Sequence, residues 1–102
     1  MDTLIIDGFT ITVNAIDECI AIDSIFTGDD ATFVSNGVED GTLMWFCAEV
    51  VASKLGIPLG HAYLGGCAYE SIDDFIKNSG HFEAMCAEAV ADAKETLKYL
   101  GV

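Results

Sequence analysis

The sequence contains no arginine, only four lysines and a single proline among its 102 residues. Its 17 aspartates and glutamates therefore have almost no counter-charge, and the formal net charge is −13. Residues 1–53 carry ten of these acids and no lysine. Binding of nucleic acid needs basic side chains that neutralise phosphates, and an anionic membrane surface attracts the same basic side chains. We therefore expect neither direct nucleic-acid binding nor membrane binding.

Long apolar runs and closely spaced cysteines are also lacking. No stretch approaches the roughly 20 apolar residues of a membrane span, and no basic segment with an apolar run follows Met1. These absences predict a cytoplasmic location. The four cysteines show no Cys-x-x-Cys spacing, so we expect them to serve as small apolar residues in a reducing compartment.

Apolar residues are abundant by contrast. They make up 52% of the chain and include ten aromatic residues. A disordered acidic tail combines high charge with low hydrophobicity, so this composition does not fit one. The length suits one core and leaves no room for two. We predict a single acidic domain over residues 1–102.

The start of the chain indicates a β-hairpin. Residues 3–6 and 9–13 are rich in β-branched side chains and flank Asp7-Gly8, a dipeptide typical of a type I′ turn. Residues 15–26 are ambiguous, because Asn14 is a suitable helix cap while the pattern around Ile20 and Ile22 alternates as in a strand. We favour a helix there.

Later segments indicate helices. Apolar residues at helical spacing predict helices over 41–55 and 81–100, and Ser71 with two following aspartates predicts a short helix over 71–78. The fold class that follows is α+β, with a small antiparallel sheet (the N-terminal hairpin) packed against the two main amphipathic helices. Residues 27–30 are predicted as a turn, 31–34 as a short strand, 35–41 as a polar loop, and 57–69 as a Gly-rich loop with one short strand around 62–64.

No motif for catalysis or metal binding is complete. Cys67 lies in a Gly-rich stretch six residues after His61, but no family signature surrounds the pair. A calcium loop that started at Asp30 would place Val34 and Ser35 where a ligand and a glycine are required. We therefore expect no catalytic residue, no metal, no cofactor and no enzymatic activity.

The acidic side chains are the candidate site. The first half of the chain presents them without a basic residue nearby in sequence, and carboxylates in such an array can occupy the phosphate positions of a basic groove. The partner would be a basic protein surface, most suitably one that binds nucleic acid. The predicted partner-binding residues are Asp17, Glu18, Asp23, Asp29, Asp30, Glu39, Asp40, Asp73 and Asp74.

In size, acidity and lack of catalytic motifs the chain resembles small phage-encoded inhibitors, namely anti-CRISPR proteins and DNA-mimic antirestriction proteins. The resemblance covers overall character only. It implies an inhibitor that blocks the DNA or guide-RNA channel of a host defence complex. Two alternatives stay open: an immunity protein or antitoxin that masks a basic toxin, and a homo-oligomeric adaptor, such as a homodimer formed through the Ala-rich flank of the last helix (Ala84, Ala87 and Ala91).

Overall fold

A computed structural model describes residues 4–17 and 20–101. The four strands form one antiparallel sheet in which each strand pairs with the next along the chain, and the predicted α+β class is confirmed. Among the described residues, no helix is long and apolar enough to cross a membrane. The elements are β1 (Leu4–Ile6), β2 (Phe9–Asp17), a 3-10 turn (Ile22–Ser24), α1 (Gly28–Asp40), β3 (Met44–Lys54), β4 (Ile57–Tyr69), α2 (Ile72–Asn78) and α3 (Phe82–Leu100).

The N-terminal hairpin is confirmed, and its second strand is longer than predicted. Asp7 and Gly8 both have positive φ, 52° and 84°, as a type I′ turn requires. β2 continues to Asp17 because residues 10–17 pair without interruption with β3. The helix favoured for 15–26 is therefore wrong, since strand pairing outweighs the local helix signal, and a 3-10 turn follows. Glu18 and Cys19 lie outside the described residues.

The predicted helix over 41–55 is wrong, because this segment forms β3, an inner strand of the sheet. Its side chains Phe46, Ala48, Val50 and Ala52 face the core, and Val51 is buried on the opposite face. A strand that is apolar on both faces has no clear alternation, and its apolar positions then also satisfy a helical spacing.

Two further predictions are wrong in segments where glycine indicated a turn or loop but lies within a regular element. The segment 57–69 is the long strand β4 throughout, rather than a Gly-rich loop with a short strand around residues 62–64. Residues 28–40 form α1 rather than a turn, a short strand and a loop. The aspartates in the first turn of α1 interact favourably with the positive end of the helix dipole, and Gly41, with φ 85°, ends the helix.

Helices α2 and α3 follow the sequence prediction closely. Ser71 caps α2 by accepting a hydrogen bond from the backbone N–H of Asp74 at 3.0 Å. α3 covers one face of the sheet over β3 and β4. The core lies in this interface, where α3 contributes Met85, Cys86, Ala89, Val90 and Ala93 and the sheet contributes the apolar face of β2, β3 and β4.

The molecule is elongated, with extents of 50 × 26 × 20 Å, and its two ends differ. We call "the hairpin end" the end formed by residues 6–9, 53–59 and 94–101, where both hairpin turns meet the last turns of α3. We call "the acidic end" the opposite end, formed by Asp17, residues 20–43 and α2.

Candidate functional site

The described acids of the predicted site all lie at the acidic end. Asp17 is the last residue of β2, and Asp23 lies in the 3-10 turn. Asp29, Asp30, Glu39 and Asp40 lie in the first and last turns of α1, and Asp73 and Asp74 begin α2. The fold therefore brings together, at one end, residues that are up to 57 positions apart in sequence. Glu18 lies outside the described residues.

Two of these acids have local structural roles. The carboxylate of Asp74 accepts hydrogen bonds from the backbone N–H of Glu70 at 3.1 Å and from Asn78 Nδ2 at 2.7 Å. Asp40 Oδ1 accepts from the hydroxyl of Thr42 at 2.7 Å and from its backbone N–H at 2.9 Å. These two hydrogen bonds, the hydroxyl first, hold the pKa of Asp40 below its usual value. Asp40 and Asp74 therefore help to build the site, in addition to any contact with a partner.

The other acids of this end face solvent, and Asp73 alone among them has a basic residue, Lys77, four positions along the same helix. Within 4–17 and 20–101, carboxylates form ion pairs only at Lys94–Asp7 and His61–Glu49, both away from the acidic end. Residues 20–43 contain no lysine. The lysine of the acidic end is Lys77, in the last turn of α2. Lys77 offsets one of these charges, and the negative potential of this end is otherwise not neutralised within the described part of the chain.

One residue that the sequence reasoning missed is Phe33 on α1. Its side chain is 72% exposed, although it is a large aromatic group. Asp29 and Asp30 precede it by four and three residues, and Asp40 follows it by seven, so these side chains share one face of the helix. α1 buries only Val34 and Gly37. Had the helix been predicted, a large aromatic residue outside the buried positions Val34 and Gly37 would have been visible as a surface feature.

A second polar cluster lies on the sheet face opposite α3. Asn14, Glu49 and Tyr63 are in register on β2, β3 and β4. Asn14 Nδ2 donates to Glu49 Oε1 at 3.0 Å, and His61 Nδ1 lies 3.8 Å from Glu49 Oε2. A hydrogen bond to Glu49, with a smaller contribution from burial, raises the pKa of Tyr63. Glu49 thereby links three strands across this open face.

The Cys67–His61 pair considered from sequence is not assembled by the fold. Both lie on β4, where six residues of extended chain span about 20 Å. Cys67 is buried on the core side opposite Phe46, and its Sγ lies 3.2 Å from the carbonyl oxygen of Leu64. The ring of His61 stacks on Tyr63, with centroids 6.0 Å apart, on the open face. A thiolate–imidazole pair therefore does not form in this arrangement.

The calcium hypothesis also has no geometric support. The segment tested for a calcium loop is α1, which carries its acids at its two ends. In the described part of the chain, no three side chains of His, Cys, Asp or Glu converge as a metal site requires. Cys67 and Cys86 are buried, and burial raises the pKa of the Cys86 thiol, as expected for cysteines that fill the core.

Comparisons with protein-family models, with curated proteins and with solved structures find no match for this chain.

Proposed function

We propose that this protein binds, through its acidic end, a basic protein surface that otherwise holds nucleic acid, and that it acts there as an inhibitor rather than as an enzyme. The partner we favour is the nucleic-acid channel of a bacterial defence complex of the CRISPR or restriction type. A cytoplasmic location belongs to the same proposal, because such complexes act where the nucleic acid is.

The observation that carries the proposal is the exposed face of α1. Carboxylates stand at both ends of this face, with Phe33 between them. Asp29 and Asp40 are separated by about 16 Å along the helix axis at 1.5 Å per residue. Phosphates of one duplex strand follow each other by 3.4 Å along the axis. The face is therefore long enough to span several phosphate positions of a basic groove.

Phe33 makes the match more specific than charge alone. Protein channels for single-stranded nucleic acid combine basic side chains, which follow the backbone, with platforms on which bases stack. The exposed ring of Phe33 can stack on such a platform, and the carboxylates on its face can contact the basic side chains. Phe33 would add no affinity for a basic surface that has no apolar or aromatic site to receive its ring.

Competition for nucleic acid tests the proposal directly. A purified CRISPR surveillance complex and a purified restriction enzyme, each bound to labelled duplex, are titrated with this protein at low and moderate salt. We expect displacement of the duplex from at least one complex, and weaker displacement as salt rises, because the attraction is screened. If the protein displaces no duplex from either complex at low salt, the inhibitor proposal is wrong for these classes.

Two matched variants locate the binding surface. The first neutralises Asp23, Asp29, Asp30 and Glu39 as the corresponding amides, which avoids the locally bonded Asp40 and Asp74. The control neutralises four exposed acids of α3, Glu83, Glu88, Asp92 and Glu95, as the corresponding amides, with the same change in net charge. The amide oxygen of Asp92→Asn can still accept the hydrogen bond from the backbone N–H of His61. Exposed charge contacts contribute about 0.2–1 kcal/mol each, so the loss of four should lower the affinity of the first variant by about fourfold or more. Equal losses in both variants would show that net charge, and not the acidic end, determines binding.

A further inference from the structure

The hairpin end carries an apolar groove on the surface. The groove has a volume of about 420 Å³ and lies between the β3–β4 turn and the last turns of α3, lined by Lys54, Leu55, Ile57, Leu59, Leu97 and Leu100. Leu55 is 94% exposed, Leu100 is 65% exposed and Ile57 is 58% exposed. Single apolar side chains are common on protein surfaces, whereas a cluster of large ones at one exposed place is typical of an interaction surface.

Leu55 is held there against its backbone preference. It has φ 53°, in the left-handed region, where Asn, Asp and Gly are favoured and leucine is uncommon. The neighbouring β1–β2 turn, with the same pair of positive φ values, uses the preferred Asp7-Gly8. Leucine in this conformation costs about 1 kcal/mol or more relative to glycine. A strained and fully exposed apolar residue is best explained by a contact that it makes with another molecule.

The charge of the hairpin end is opposite to that of the rest of the molecule. It holds three of the four lysines, Lys54, Lys94 and Lys98, against the two acids Asp7 and Glu95, which gives it a net charge of +1. Lys94 is paired with Asp7 at 2.8 Å. Lys54 lines the groove directly, with its ammonium 5.6 Å from the ring centroid of Phe9. Lys98 follows the groove-lining Leu97 on α3 and projects about 100° away from it around the helix.

We propose that the groove of the hairpin end binds helix α1 of a second copy of this protein, with Phe33 in the groove and the acids of α1 against Lys54. Phe33 is the large exposed aromatic group of α1, and the carboxylates on its face complement the charge of Lys54 in the groove. For a chain of net charge −13, contact between two acidic surfaces is repulsive, whereas this orientation places the acidic end on a region that is net positive.

The contact is intermolecular and heterologous. α1 and the groove lie at opposite ends of a molecule 50 Å long, so the α1 of one chain does not reach its own groove. Each copy then offers one groove and one α1, and the contact extends head to tail. Because the inhibitor proposal uses the same face of α1, self-association would hide that face, but the present inference does not depend on the inhibitor proposal being correct.

Sedimentation velocity over a concentration series, with two variants, tests the inference. The groove variant Leu55→Asn with Ile57→Thr removes the apolar rim while it suits the turn and the strand. The helix variant Phe33→Ala removes the aromatic group while it favours the helix. We expect concentration-dependent association of the unmodified protein and, in each variant, a loss of about tenfold or more in the association constant. Tyr63→Ala, which removes a 56% exposed aromatic group on the open face, should leave association unchanged.

Mixing the two variants gives the sharpest outcome. A heterologous contact predicts that they form a one-to-one dimer that grows no further, because the intact groove of one binds the intact α1 of the other. Unmodified protein that stays monomeric at several hundred micromolar would overturn the inference, as would a helix variant that associates like the unmodified protein. The groove variant keeps α1 intact, so it should still compete with nucleic acid, which separates failure of this inference from failure of the inhibitor proposal.

Discussion

Helices α1 and α3 contact their neighbours in different ways, and the difference separates scaffold from candidate site. α3 lies with its backbone directly on the backbone of β4. A Cβ at Gly60 would overlap the carbonyl oxygen of Ala89 and the backbone nitrogen of Ala93, and would lie 2.9 Å from Ala93 Cα. α1 is held by a side chain instead, because a Cβ at Gly37 would overlap the side chain of Leu43, with Leu43 Cγ at 2.7 Å.

Helix α3 is more deeply buried and more rigidly seated than α1. Backbone contact leaves no room to adjust, and α3 buries five residues along its length. α1 buries two residues, and its C-terminal turn is joined to β3 through a short loop in which Leu43 N–H donates to the carbonyl of Gly37 at 2.9 Å. A helix that keeps most of its surface in solvent is suited to present side chains to a partner, as both proposals for α1 require.

The largest effect is expected for Gly60→Ala. The added methyl group meets fixed backbone atoms of α3, so the helix must move away from β4 and the contacts of Ala89 and Ala93 are lost. Overpacking of a core costs about 1–3 kcal/mol, and we expect the upper end of this range in the free energy of unfolding. Urea denaturation followed by circular dichroism measures it. A loss below about 0.5 kcal/mol would mean that α3 is not seated as closely as described.

A smaller effect is expected for Gly37→Ala on α1. Leu43 can rotate away from the new methyl group, and alanine gains about 1 kcal/mol of helix propensity over glycine. These two contributions oppose each other, so the free energy of unfolding should change by less than about 1 kcal/mol. The same denaturation experiment, run beside Gly60→Ala, checks the ranking. A loss as large as that of Gly60→Ala would show that α1 is as tightly packed as α3.

Elements whose apolar residues recur at one regular spacing could be predicted from sequence. The N-terminal hairpin, α2 and α3 each combine a regular apolar pattern with a local signal, such as Asp7-Gly8 or the Ser71 cap. The α+β class followed from these three elements. Their physical determinants are local, and the tertiary structure reinforces them.

The middle of the chain could not be predicted because its signals have two meanings. Gly56 follows apolar residues at helical spacing, as a glycine does at the end of a helix, but its positive φ of 77° serves the two-residue turn between β3 and β4. Gly60 suggested a loop, although its missing side chain is what allows α3 to approach. Strand pairing between segments distant in sequence decided both cases, and a single sequence does not reveal it.

The candidate site was predicted in part. Position in sequence was sufficient to group the acids of 17–40, because the fold keeps this segment at one end. Phe33 and Leu55 were missed, since each was assigned to the wrong element and its exposure was therefore hidden. Exposed apolar residues acquire meaning only when the buried face of their element is known.

The smallest effect concerns the pH dependence of the loop that follows α1. Hydrogen bonds from Thr42 lower the pKa of Asp40 relative to the unfolded chain, whose value is near 3.8. The stabilising contribution is therefore complete above that value and is lost as pH falls through the lowered pKa of the folded state. Hydrogen exchange and the chemical shift of the Thr42 amide, followed by NMR from pH 5 downwards (about 5 to 2), should show the loop after α1 loosening before α3 does. Asp40→Asn should remove this dependence and the neighbouring Glu39→Gln should keep it. An unchanged titration of Thr42 in Asp40→Asn would show that Asp40 does not hold the loop.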